Sequence, residues 1–119
     1  MPNSIVSFEI ASKDKAVLED FYRTVFGWQL IPANDQFTRV SPGDGINGGI
    51  AAATDGGPGY VTFYVEVDNI ANALTRVEGR GGRRLMEPQQ MPDGPLIALF
   101  ADPEGHVIGL VQAGTMRAG

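Results

Sequence analysis

The sequence predicts an α+β fold made of two βαβββ modules whose strands form a curved mixed sheet around an open cup. Three observations carry this. A strand–helix–three-strand order runs from Ile5 to Ala53 and starts again at Tyr60. Each strand candidate alternates with a period of two and each helix candidate with a period near four, so every element has one face to bury. The length, 119 residues with 43% hydrophobic content, suits a single core better than two independent ones. The chain is therefore expected to be one domain, 1–119, with module 1 over about 4–54 and module 2 over about 60–113.

In the first module, Phe8 and Ile10 point one way and Ser7, Glu9 and Ala11 the other, the mark of a half-buried strand. Ser12 offers an N-cap, and Val17, Phe21 and Val25, with Leu18 beside them, predict an amphipathic helix over Lys13 to Phe26 that Gly27 ends. Three short apolar runs follow, Trp28 to Ile31, Phe37 to Val40 and Gly49 to Ala53, divided by Pro32, Asn34, Asp35, Pro42, Gly43, Asp44 and Gly45.

After the breaker cluster Asp55 to Gly59, Phe63, Val65 and Val67 face one way and Thr62, Tyr64 and Glu66 the other. Asp68 is the next N-cap candidate, Ile70, Leu74 and Val77 mark the second helix face, and Gly79, Gly81 and Gly82 stop it. Strands then fall near Arg83 to Glu87, Leu96 to Ala101 and His106 to Gln112. Ser12 falls on Asp68, Leu18 on Leu74 and Phe21 on Val77 at one shift of 56, and Phe8 falls on Phe63 at 55. Such a repeat implies two equivalent modules, each too small to close a core alone.

Composition narrows the function classes. The net charge of -5 argues against a nucleic-acid partner. The absence of cysteine removes disulfides, thiolate metal sites and thiol nucleophiles, and the single histidine, His106, excludes any site needing two imidazoles from one chain. Met1 to Val6 carries no basic region followed by an apolar stretch, and no segment approaches the ~18 apolar residues of a membrane span. A cytoplasmic location and no membrane partner are expected. Gly48-Gly49 and Gly56-Gly57-Pro58-Gly59 lack the strand-to-helix context of a phosphate loop and read as turns.

If the helices cover the apolar strand faces, the opposite faces carry Ser7, Glu9, Thr62, Tyr64 and Glu66 into the concavity between the modules. Two carboxylates there could act as acid and base or meet a cationic ligand; otherwise they stand in water at the rim or pair with Arg39, Arg83 or Arg84. Tyr64, and with it Trp28, reads as a flat ligand platform rather than a catalyst. His106, after the turn Asp102-Pro103-Glu104-Gly105, reads as structural, on the helix side or at the strand's exposed start.

Phe8-Glu9-Ile10 through Phe21-Tyr22 to Val25-Phe26-Gly27-Trp28, then Tyr64-Val65-Glu66-Val67-Asp68, Asp102-Pro103-Glu104-Gly105 and the last strand Val107 to Gln112, occur here in one order on a visible duplication. In this the chain resembles the vicinal-oxygen-chelate superfamily of glyoxalase, bleomycin-resistance and dioxygenase proteins, its glyoxalase-like branch in particular. The resemblance implies four ligand positions for one divalent ion, on the first and last strands of each module. Counted onto this sequence they are Ser7, Ala51, Thr62 and Gly109, none of which is a competent donor for a first-row metal or zinc.

The expectation is thus a glyoxalase-like domain with no metal and no cofactor, binding a small organic molecule in its cup through Ser7, Glu9, Trp28, Thr62, Tyr64 and Glu66. The alternative is a metal-independent enzyme of lyase or isomerase type, with Glu9, Glu66 and Tyr64 transferring protons. A homodimer is expected, since the resemblance implies modules paired across subunits and an open strand edge favours closure by a second copy.

Overall fold

A computed structural model of the chain describes residues 2–53, 57–92 and 94–115. The element order is β1 (Ile5–Ser12), α1 (Lys15–Phe26), β2 (Gln29–Asn34), β3 (Phe37–Ser41), β4 (Gly48–Ala52), β5 (Gly59–Val67), α2 (Ile70–Gly79), β6 (Arg83–Gln90), β7 (Leu96–Ala101) and β8 (Val107–Gln112). The fold class is α+β with mixed strand pairing, and the strand–helix–three-strand order occurs twice. Among the described residues no helix is long and apolar enough to cross a membrane.

Two compact units divide the chain, one of Val6–Thr62, the other of Phe63 onward with the residues up to Ile5. The opening residues join the second unit because the Ser4 carbonyl accepts a hydrogen bond from the Glu66 backbone N–H at 2.9 Å.

In the first unit the strands lie in the order β2-β3-β4-β1, with β1 and β4 parallel and the other pairs antiparallel. The parallel pair requires a crossover, which α1 supplies. Ile10, Val40 and Ile50 form the buried centre, and Phe8, Leu18, Tyr22, Trp28 and Leu30 pack on it. β2 runs on through Pro32 to Asn34, with a register shift between those residues. Proline is tolerated there because β2 is the outermost strand of its unit, where one side makes no ladder.

The second unit repeats the plan in the order β5-β8-β7-β6, with β5 and β8 parallel. Val67, Ile70, Ala73, Leu74, Ala98 and Leu110 are its core, with Val65, Leu96 and Phe100 against them. β6, the outermost strand, contains Pro88 and shifts register between Met86 and Gln89. The duplication thus extends to the placement of its irregular strands.

Several expectations need correction. α1 begins at Lys15, and Asp14 rather than Ser12 caps it, accepting from the Val17 N–H; Ser12 is the last residue of β1 and is buried. Asn69 rather than Asp68 caps α2, accepting from the Asn72 N–H, while the Gln112 side chain accepts from the Ile70 N–H. The Gly27 stop is as expected, in the left-handed region at φ 68.

The face of α1 also differs. Val17, Phe21 and Val25 are 60%, 51% and 53% exposed, whereas Leu18 and Tyr22 pack on the core. Lys15 and Glu19 flank the inward face, and both reach Thr38, a fully buried residue of β3. The buried hydroxyl is thereby satisfied, as a core polar group must be.

Candidate small-molecule site

Alternation along β1 directs Phe8, Ile10 and Ser12 toward α1 and leaves Ser7, Glu9 and Ala11 on the helix-free face. Ser7 and Glu9 are half-buried and Ala11 is buried. Glu9 pairs in register with Gly49 of β4, and Gly49 pairs on its other side with Arg39 of β3. A carboxylate and a guanidinium therefore stand in one cross-strand row with a glycine between them. The space over Gly49 is taken by the Phe37 ring, on which a Cβ at position 49 would collide.

In the second unit, Val65 and Val67 join the core under α2, so Tyr64 and Glu66 occupy the helix-free face of β5. Tyr64 is buried, as is Thr62 two residues earlier, and Glu66 is half-buried. A face exposed like the outside of an open sheet would leave these side chains in water, which is not what is found. Tyr64 pairs in register with Gly109 of β8, and its ring covers that residue's α-carbon.

The register corrects one of the four positions counted for a metal. Gly109 pairs with Tyr64, two residues after Thr62, and the equivalent partner of the residue two after Ser7 is Gly49, not Ala51. The positions are then Ser7, Gly49, Thr62 and Gly109. Two hydroxyls and two hydrogens do not make a donor set for zinc or a first-row metal. At both glycines, moreover, an aromatic ring fills the volume a ligating side chain would need. Among the described residues no group of three or more His, Cys, Asp or Glu gathers as a metal site would require. The residues do not fit the ion.

Trp28 is placed away from these residues. It stacks on Tyr22 with centroids 5.0 Å apart and planes 10° from parallel, and lies 5.8 Å from Phe8 and 5.5 Å from Phe26. It belongs to the aromatic cluster under α1, on the side opposite Glu9, and is a packing residue rather than a platform. Arg84 is likewise committed elsewhere, bonded to both Glu78 and Glu87.

His106 stands before β8 with its side chain 67% exposed and Nδ1 2.9 Å from Asp102. Asp102 accepts from the backbone N–H groups of His106 and Glu104, and these bonds, that of His106 foremost, hold its carboxyl below the ordinary range. The pair closes a turn, in line with a structural role. Glu19 is also held below the usual carboxylate range, first by Lys15 and then by Thr38.

Phe37 and Gly49 carry weight that sequence reasoning missed. Gly48-Gly49 reads as a turn in isolation, yet both glycines lie inside β4, under the rings of Phe8 and Phe37 respectively. The available signal was the duplication itself, since Ile108-Gly109-Leu110 and Gly48-Gly49-Ile50 place a glycine at the same point of the fourth strand.

Residues 4–110 match the family model of the Glyoxalase/Bleomycin resistance protein/Dioxygenase superfamily, and the chain belongs to that superfamily. Among curated relatives, the anthracycline biosynthesis protein DnrV of Streptomyces peucetius is 30% identical over 98% of this chain and 49% of its own. The chain thus spans about half the length of that relative. A lactoylglutathione lyase of Neisseria meningitidis is 32% identical over 78% of each chain. Among solved structures, a superfamily member from Vibrio splendidus has a TM-score of 0.63 at 20% identity, covering 93% of this chain and 98% of its own. Methylmalonyl-CoA epimerase from Mycobacterium tuberculosis has 0.66 at 19%, covering 91% and 86%. At these identities the structures show the fold.

Proposed function

We propose that this chain is a metal-independent, small-molecule-binding member of its superfamily, whose ligand meets the helix-free strand faces. The observation that carries the reading is the aromatic ring over each fourth-strand glycine. Where the resemblance implies an ion and its donor, this chain has Phe37 over Gly49 and Tyr64 over Gly109. In each unit a flat ring stands with polar neighbours on the helix-free face, Phe37 with Glu9 in the first and Tyr64 with Glu66 in the second, and such surfaces suit an organic molecule with a few polar groups. The activity named for the Neisseria relative is not transferred, because this chain lacks a donor at each of the four positions.

A cytoplasmic homodimer is part of the same proposal. Its support is the exposed stripe Val17, Phe21, Val25 and Phe26 along α1, more contiguous apolar surface than a helix ordinarily presents to water.

A thermal-shift screen of small organic compounds, followed by binding to Glu9→Gln, Glu66→Gln and Tyr64→Phe, tests the reading. Each Gln variant should change affinity more than stability. Removing the Tyr64 hydroxyl should weaken binding by about 0.5–1.5 kcal/mol, one hydrogen bond. A far larger loss for all three would favour the proton-transfer alternative. Wild-type binding by all three would place the ligand elsewhere.

A further inference from the structure

On the other side of the first unit, an open cleft of about 380 Å³ lies between the end of β1, the first turns of α1 and the start of β5. Its walls are more apolar than polar, with Ile10, Val17, Leu18, Tyr22 and Val61 beside Ser12, Lys13, Asp14 and Tyr60. One wall exists because of Gly59. That residue adopts φ +81, and a Cβ on it would run into the Ala11 carbonyl, so only glycine brings Pro58–Val61 this close to β1.

Ser12 lines this cleft, on the same face of β1 as Ile10 and opposite Glu9. It is 3% exposed, and its hydroxyl has no hydrogen-bond partner among the described residues. A buried hydroxyl left unpaired costs free energy that alanine at the same position would avoid. The two charged residues on the cleft, Lys13 and Asp14, are adjacent, exposed and of opposite sign, so they select no net ligand charge.

We propose that this cleft is a second ligand site, separate from the helix-free faces, taking a small uncharged and mainly apolar molecule whose single hydroxyl or carbonyl pairs with Ser12 Oγ. The volume is of the size that small-molecule pockets have. Apolar wall residues supply the affinity, and the unpaired Ser12 hydroxyl fixes orientation.

Benzyl alcohol, acetophenone and ethylbenzene serve as probes, differing in whether they can meet the hydroxyl, with amide chemical shifts of the full chain as readout. Saturable shifts centred on Ser12, Leu18 and Val61 are expected, with the two polar probes binding more tightly than ethylbenzene. Ser12→Ala should weaken the polar probes about three- to tenfold, the worth of one hydrogen bond. It should leave ethylbenzene unchanged and raise the Tm, a combination that a purely structural serine would not produce. Val61→Glu, at an exposed position on the rim and outside the α1 stripe, should weaken all three. The proposal is overturned if no probe gives saturable shifts there or if the shifts centre on Tyr64 and Glu66. It is equally overturned if Ser12→Ala binds the polar probes as wild type does, if its Tm falls, or if Val61→Glu changes nothing.

Discussion

The Tyr64 ring covers the α-carbon of Gly109, so closely that a Cβ there would lie 2.5 Å from Cδ2 and 2.6 Å from Cε2. Real side chains do not approach to that distance, so any residue but glycine at 109 must displace the ring. Gly109→Ala should therefore destabilise the protein by about 1–3 kcal/mol, the cost of overpacking. In a Tyr64→Ala background the same change should cost much less. A double-mutant cycle by urea denaturation measures this coupling. Additive effects would mean that ring and glycine are not in contact.

Glu19 provides the pH-dependent prediction. Its Oε2 accepts from Lys15 Nζ and from Thr38 Oγ1, both at 2.6 Å, and these bonds, that of Lys15 foremost, hold its folded pKa below the ordinary carboxylate range. A depressed carboxyl pKa contributes stability that is present above the unfolded pKa and lost as pH falls through the folded one. The stability gap between wild type and Glu19→Gln should accordingly be full at pH 7 and shrink below about pH 4. Urea midpoints at pH 7 and pH 3 check this, and a gap independent of pH would contradict it.

Thr38 should matter by itself. Its hydroxyl is buried in the first unit's sheet and bonded to the Glu19 carboxylate. Thr38→Val keeps the shape and removes a bond to a charged group, with an expected loss of about 1.5–3 kcal/mol. Equilibrium unfolding measures it.

Trp28 separates packing from binding. Trp28→Ala should lose about 2–4 kcal/mol of stability, somewhat less than a fully buried tryptophan because the ring is half-buried. Unfolding can be followed by circular dichroism, since this is the only tryptophan. Affinity for a ligand of the helix-free faces should be unchanged under folding conditions.

Much of this architecture was legible because it is periodic. The period of two placed Ser7, Glu9, Tyr64 and Glu66 opposite Phe8 and Val65 without any tertiary information, and the duplication supplied the second module. What failed depended on contacts between elements distant in sequence. The α1 stripe of Val17, Phe21 and Val25 looks like a core face, yet Leu18 and Tyr22 pack on the core instead, beside a Glu19 that reaches Thr38, 19 residues further on. Trp28 has the chemistry of a ligand platform, but the Tyr22 ring claims it. Asp14 and Asn69 displaced Ser12 and Asp68 as caps, since a cap depends on where the strand releases the chain. The role of Gly49 appears only when the register sets it beside Glu9 and under Phe37.

The central claim is that this chain binds its ligand without a divalent ion, and it is tested by elemental analysis of gently purified protein together with ligand binding before and after chelator treatment. The expected result is less than one equivalent of any transition metal per 12.7 kDa chain, with a thermal-shift ligand retaining its affinity in chelator and binding more weakly, by about 0.5–1.5 kcal/mol, on Tyr64→Phe. Stoichiometric zinc, nickel or iron whose removal abolishes binding would contradict the account.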